Sequence, residues 1–262
     1  MSDVLDIKNL ALAIGGKPLL ENFGLRMHSG ERVGLTGPSG CGKTTLLHSL
    51  VHGKLPQGSK AEKFESTLSR MHVSYAPQRH GLLPWYTVGK NFDILSRVVD
   101  TKSDWLHTAH TFGVHHTTEA YPDSLSGGEY QRVVLAAALA SQPECMIVDE
   151  PLTGVDIDAK YRILQVLYSY LRVTSERTLL LVSHDVDTLL LLCDRIVYVH
   201  PTKALRAEVE LKDKPQTEDI KELLYGPAKE YLDQKRSELM KILFTASVGA
   251  LSNMSATPTY ES

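Results

Sequence analysis

Cysteine is scarce: Cys41, Cys145 and Cys193 are an odd number, and none shares the short spacing of a metal knuckle or a disulfide framework. A bridged scaffold is thereby excluded, and a reducing compartment suits the count. Long apolar runs are missing too. The two longest, residues 186–193 and 242–251, fall well short of the ~20 residues that span a bilayer, so a membrane role must run through a partner. Residues 1–7 have neither a basic start nor a sustained apolar core, and no secretory leader is expected there. Nor does one charge dominate. Lys and Arg total 28 against 31 Asp and Glu, which argues against a nucleic-acid binder with its basic stripe. No internal repeat is evident. The 262 residues suffice for one large domain plus an appendage.

Against these absences, residues 37–45 stand out. They read Gly37-Pro38-Ser39-Gly40-Cys41-Gly42-Lys43-Thr44-Thr45, and Gly37, Gly42, Lys43 and Thr44 satisfy the spacing of a phosphate-binding loop. The chemistry follows from the residue types. A glycine-rich turn aims successive backbone N–H groups inward, a lysine reaches the β- and γ-phosphates, and the adjacent hydroxyl ligates Mg²⁺. The flanks agree: residues 30–36 form a short apolar run suited to a buried strand, and residues 45–51 open a helix whose N-terminal dipole favours phosphate. Four such positions arise by chance in roughly one chain of this length in a hundred. The plain alternative is a glycine turn that binds no ligand. Cys41 lies inside the loop, where its modification would block nucleotide sterically; a small filler with no redox role is the reading preferred.

Elsewhere the periodicity sets out a coarse order. Residues 4–13 read as an edge strand ending at the Gly15-Gly16 turn, residues 19–27 as the returning strand, and residues 53–63 as a polar loop. A strand at 71–76 ends at Pro77-Gln78, and a helical insertion follows over about 87–120. Residues 144–149 form an apolar strand ending in carboxylates, as buried parallel strands do where their C-terminal ends carry chemistry. A long helix at 157–173, a strand at 178–183 and strands at 194–199 and 204–211 complete a mostly parallel sheet covered on both faces. After residue 211 the chain turns Lys- and Glu-rich, with a helical pattern at 231–243 and a structureless end from 252. The charged stretch at 229–241 reads as a packing helix rather than a membrane anchor.

Asp149 and Glu150 follow their strand directly. An acid there holds Mg²⁺ opposite the loop hydroxyl, and a neighbouring glutamate polarises water for in-line attack on the γ-phosphate; a solvated helix-capping pair is the competing reading. Leu125-Ser126-Gly127-Gly128-Glu129, followed by Gln131, is a second glycine turn opening a helix over residues 130–140. Other clusters carry less. His107, His110, His115 and His116 have no carboxylate or cysteine ligands fixed beside them and read as a solvated helix face. His48 and His52 lack the glutamate of a zinc-protease helix, so their spacing reads as incidental.

In this order, the phosphate loop, Gln78, Leu125 to Glu129, Asp149-Glu150-Pro151, Asp156 and His184 closely resemble the ATP-binding subunit of the ABC transporter family over about residues 4–199. The resemblance implies an α/β fold of the P-loop NTPase kind: a mostly parallel core sheet, an N-terminal antiparallel β part, and a helical subdomain at about 87–140 carrying the Leu-Ser-Gly-Gly-Glu turn. It sets the ATPase domain at 1–211 and the appendage at 212–262. It also implies roles. Residues 37–45 with Lys43 grip ATP, Thr44 and Asp149 hold Mg²⁺, and Gln78 senses metal and water. Glu150 is the general base, aligned by His184 at the γ-phosphate. Two subunits face head to tail, so that Ser126, Gly127, Gly128 and Glu129 close over ATP on the partner's loop and Asp156 bridges the sites.

One position departs from the family. Ile14 stands where an aromatic residue usually stacks on adenine, which leaves selectivity for ATP over GTP open. Residues 81–88, with Trp85 and Tyr86, resemble the segment that leads into the helical subdomain of nitrate, sulfonate and taurine importers. The two rings belong either to the groove that receives a membrane subunit or to the packing of the subdomain itself. The expected protein is therefore a peripheral ATPase on the cytoplasmic face of the inner membrane. It pairs with a second identical or paralogous subunit, integral permease subunits and a solute-binding protein, with no nucleic acid, and imports a small solute such as an anion. A soluble ABC-type ATPase outside transport, or the ATPase of an exporter, is the alternative.

Overall fold

The computed structural model describes residues 2–98, 105–174, 176–200, 207–211, 214–215 and 217–254. The chain opens with strands β1 (Asp3–Ile14) and β2 (Lys17–His28). Gly15 and Gly16 have φ of 56° and 79°, so both residues of the connecting turn occupy the left-handed region that a tight two-residue hairpin demands. Strand β3 (Arg32–Thr36) then enters the interior, and α1 (Lys43–His52) follows the glycine loop. Strand β4 (Lys63–Ser66) returns to pair antiparallel with β1, giving a three-stranded sheet of order β2-β1-β4. The edge position expected of the first strand is thus corrected: β1 is central. Four polar or half-buried residues gave β4 no apolar signal. Backbone pairing and a 2.6 Å ion pair from Lys63 to Asp6 hold it instead.

The remaining elements are β5 (Val73–Ala76), α2 (Val88–Val98), α3 (Trp105–Thr111), α4 (Gly127–Ala140), β6 (Cys145–Asp149), α5 (Ile157–Arg172), β7 (Thr178–Val182), α6 (Val186–Leu192), β8 (Arg195–Tyr198), β9 (Ala207–Glu210), α7 (Ile220–Tyr225) and α8 (Lys229–Met254). The second sheet runs β5-β6-β7-β3-β8-β9, parallel throughout except for the antiparallel edge strand β9. Every residue of β6 and β7 is buried, as it must be when both faces of a parallel sheet are covered.

Two apolar cores result. One lies between the antiparallel sheet, α1 and one face of the parallel sheet, with Leu10, Leu12, Leu35, Leu46, Leu47 and Val182 fully inside. The other joins α4, α5 and α6 on the opposite face to Phe92, Phe112 and Val114 of the helical insertion. Helix α6 comes so close to β3 that a Cβ on Gly34 would stand 2.7 Å from a Leu189 methyl. The C-terminal segment packs on this second core. Leu223, Leu224, Leu232 and Leu239 are buried there, Gln165 accepts from the Ile220 N–H, and Arg236 pairs with Asp187 at 2.5 Å. Helix α8 extends into the stretch read as structureless, and residues 255–262 lie outside the described residues.

Candidate functional site

The strand ends of the parallel sheet converge on a cleft of about 600 Å³, a size ordinary for a small-molecule site. Its wall is the turn between β3 and α1. A Cβ on Gly37 would lie 2.3 Å from the Val199 carbonyl, so only glycine lets the chain leave β3 here. Gly42, at φ 97°, precedes the first residue of α1. Lys43 thereby emerges at the helix start and folds back: its Nζ donates to the carbonyls of Gly37 and Pro38, both at 2.8 Å, and stands 3.7 Å from Cys41 Sγ. The ammonium is pinned over the loop. Cys41 is buried, and burial raises its thiol pKa, in keeping with a filler role.

Asp149 closes the floor. It is 1% exposed, neither carboxylate oxygen accepts a well-aligned hydrogen bond from the protein, and burial raises its pKa, an effect that Thr44 and Lys43 partly offset. A buried, unpartnered carboxylate costs free energy unless a cation completes it. Beside the Thr44 hydroxyl, this oxygen set fits a hard divalent ion such as Mg²⁺. Glu150 follows at φ 49°, a left-handed conformation uncommon for a non-glycine residue. Its own N–H donates to Val182, and the turned side chain meets His184, whose Nε2 lies 3.3 Å and whose N–H lies 3.4 Å from the carboxylate oxygens. Burial raises the pKa of Glu150, with nearby Asp149 adding to the rise. It lowers that of His184, helped by Lys43. The pair is a half-buried carboxyl group beside an imidazole.

The sequence-derived residues divide cleanly in space. Ser39, Gly40, Gly42, Lys43, Thr44, Thr45, Gln78, Asp149, Glu150 and His184 all line the cleft, while Gly37, Pro38 and Cys41 complete the loop behind it. Leu19, Thr153 and Val182 also line it and carried no motif signal. Ile14 is 51% exposed at the end of β1 and is not part of this wall. The second glycine turn lies apart. Ser126 caps α4 in a reciprocal box: its hydroxyl accepts from the Glu129 N–H at 3.3 Å, and Glu129 accepts from the Ser126 N–H at 3.0 Å. The Ser126 hydroxyl also donates to the Glu129 carboxylate at 2.7 Å, and this bond first, then the Ser126 N–H and His116, pull the Glu129 pKa down to about 2. Asp156 caps α5 through the Ala159 N–H at 2.9 Å and faces Arg132 at 3.8 Å. Gly128 approaches within contact of Gly154, so turn and Asp156 loop adjoin.

Outside the cleft the residues are quieter. The four histidines of the insertion are exposed, with His110 stacked on His115 at 3.9 Å, and no metal-ligating cluster occurs among the described residues. His48 and His52 stack on each other at 6.1 Å on an exposed face of α1. Trp85 is 66% exposed and Tyr86 39%, so the reading that buries both rings within the subdomain is corrected. No described helix is long and apolar enough to cross a membrane.

Comparison with known proteins gives this arrangement a family. The sequence pattern of the ABC transporter family matches residues 20–153. The aliphatic sulfonates import ATP-binding protein SsuB 1 of Pseudomonas syringae pv. tomato is 35% identical over 196 residues, 74% of this chain and 69% of the relative. The chain belongs to the ABC transporter family. The taurine import ATP-binding protein TauB of Escherichia coli O157:H7 is 32% identical over 209 residues, covering 76% of this chain and 80% of the relative. Among solved structures, the dimeric ATP-binding cassette MJ0796 bound to ADP and Pi superposes with a TM-score of 0.66 at 23% identity, over 79% of this chain and 99% of that one. The same fold is thus present. The chain is an ABC-type ATPase.

Proposed function

We propose that this ATPase powers uptake of a small sulfonate-like anion through a separate membrane permease, working at the cytoplasmic face of the membrane. The observation that carries the chemistry is the meeting of Lys43, Asp149, Glu150 and His184 in one cleft at the strand ends. Lys43 and the amides of residues 39–45 hold the phosphates. Thr44, Asp149 and Gln78 would hold Mg²⁺, which would supply positive charge to stabilise the transferring phosphoryl group. Glu150 takes the proton of the attacking water, and its raised pKa makes it a stronger base than a solvated glutamate. His184 orients water and carboxylate.

The second turn supports a two-chain arrangement. Ser126 and Gly128 sit outside the cleft of their own chain, where they are free to close over ATP held by a second copy, with Asp156 at the junction. The base is expected to rest near exposed Ile14, by aliphatic contact. Trp85 and Tyr86 form an exposed edge-to-face pair, centroids 6.4 Å apart, suited to anchor a permease helix. A solute-binding protein supplies the anion on the far side. The transported class follows the sulfonate and taurine importers to which the chain is similar.

Uptake of radiolabelled taurine and of an alkanesulfonate, measured in cells lacking the chain, tests this reading. Wild type restores uptake. Trp85→Ala does not, although the purified variant keeps its ATPase activity. Uptake that is unchanged by loss of the chain overturns the assignment to sulfonate import.

A further inference from the structure

A second cavity, of about 340 Å³, lies outside the nucleotide cleft, among the end of α3 and the first turns of α4 and α5, and shares no lining residue with that cleft. Its wall carries two guanidinium groups, Arg132 and Arg162, against one carboxylate, Asp156. Arg132 is mostly buried, with 17% of its side chain exposed, yet none of its five donors makes a hydrogen bond to a described residue. Its nearest counter-charge is Asp156, 3.8 Å away, and that carboxylate already accepts from the Ala159 N–H at 2.9 Å. Arg162 has no hydrogen bond or ion pair with any described residue. Both cations act on the same carboxylate: after the Ala159 N–H, they help to hold the Asp156 pKa below the usual range. The rest of the wall is largely apolar. Phe112 and Ile163 are 4% and 1% exposed, and His110, stacked on His115, stands at the rim.

The charges do not balance. Two permanent cations against one carboxylate leave a single positive charge in excess, and a guanidinium taken largely out of water with its donors unmet costs free energy until an acceptor reaches it. A monoanion with several acceptor oxygens supplies what is missing, because the planar fork of an arginine matches a tetrahedral oxyanion through paired hydrogen bonds. The buried Phe112 and Ile163 then select what the anion carries, since they offer contact to carbon and none to further polar groups. We propose that this cavity binds a short-chain alkanesulfonate, its oxygens held by Arg132 and Arg162 and its carbons laid against Phe112 and Ile163. That this ligand is also the imported solute rests on the import reading above; the cavity's demand for an anion does not.

Calorimetric titration of the full chain with ethanesulfonate tests the site, with Mg²⁺-ADP filling the nucleotide cleft so that the phosphate loop cannot take the anion. Wild type binds ethanesulfonate, and binds inorganic phosphate more weakly. Arg132→Gln and Arg162→Gln each weaken ethanesulfonate binding by about tenfold or more, the loss of a charge-assisted hydrogen bond. Arg162 is exposed, so its variant keeps the wild-type melting temperature and ADP affinity, and its loss of binding is not a loss of fold. Wild type that binds no ethanesulfonate, or two variants that bind it as wild type does, overturns the site. Phosphate that binds as tightly as ethanesulfonate overturns the choice of an alkanesulfonate, because the apolar wall then selects nothing. A chain that binds ethanesulfonate here while its removal from cells leaves sulfonate uptake unchanged defeats the import reading alone, and the cavity stands.

Discussion

The two glycine turns of this chain, at residues 37–45 and 126–129, both open helices, yet their carboxylates are perturbed in opposite directions. Burial drives Asp149 upward beside the first turn, where neither oxygen accepts a well-aligned hydrogen bond and Thr44 and Lys43 offset the rise only in part. At the second, hydrogen bonds from Ser126 draw Glu129 down to about 2. One turn faces a deep cleft with an unmet demand for positive charge; the other has satisfied its own polar groups and stands at the surface. The difference teaches how the labour is divided. On the function proposed above, the first turn would bind in its own chain, whereas the second would close over a ligand held elsewhere.

The largest expected break in this contrast is Lys43→Ala. It removes the pinned ammonium from the first turn and should weaken ATP binding, measured by calorimetry, by about a hundredfold or more, the worth of two charge-assisted hydrogen bonds. Asp149→Asn comes next and carries a sign. Without nucleotide the variant should be more stable than wild type by about 1–3 kcal/mol, because an unpartnered buried charge is gone. In exchange, Mg²⁺ should no longer improve ATP affinity. A variant less stable than wild type in the absence of nucleotide would mean that Asp149 already has a partner. Ser126→Ala should cost about 1 kcal/mol in denaturant melts through the lost cap, and monomeric ATP affinity should stay unchanged.

Acid titration of stability sharpens the same comparison with the smallest effect. Glu129 has a lowered pKa, so its contribution is present above its ordinary value of 4.5 and lost as the pH falls towards about 2. Asp149 has a raised pKa, so its contribution is present below its ordinary value of 3.8 and lost as the pH rises through the raised one. Glu129→Gln should therefore flatten the acid limb, and Asp149→Asn the fall above it.

Residues 37–45, Asp149 and Glu150 could be singled out because a glycine turn with a lysine, and carboxylates at a strand end, are what phosphate and its cation demand, whereas His184 was singled out only through the family resemblance. Long apolar strands such as β6 and β7 were equally plain. Strand β4 was not, since Lys63-Phe64-Glu65-Ser66 carries no alternation and exists only because β1 offers a free edge. Helix α6 escaped because seven residues ending in four consecutive leucines are too short a run to show a helical period. The Ser126–Glu129 capping box was readable in the spacing, but the family motif overlay it. The bond from the Gly81 N–H to the Tyr130 hydroxyl was invisible: it depends on the fold bringing Gly81 against α4, 49 positions away in sequence.

The most direct test of the central claim is the rate of ATP hydrolysis and the oligomeric state of Glu150→Gln beside wild type, in Mg²⁺-ATP. The variant's kcat should be lower by at least about a hundredfold, the loss of a positioned general base, and its dimer should accumulate only when ATP is present. Hydrolysis by the variant at the wild-type rate, with no ATP-dependent dimer, would contradict both the assignment of Glu150 and the two-chain site.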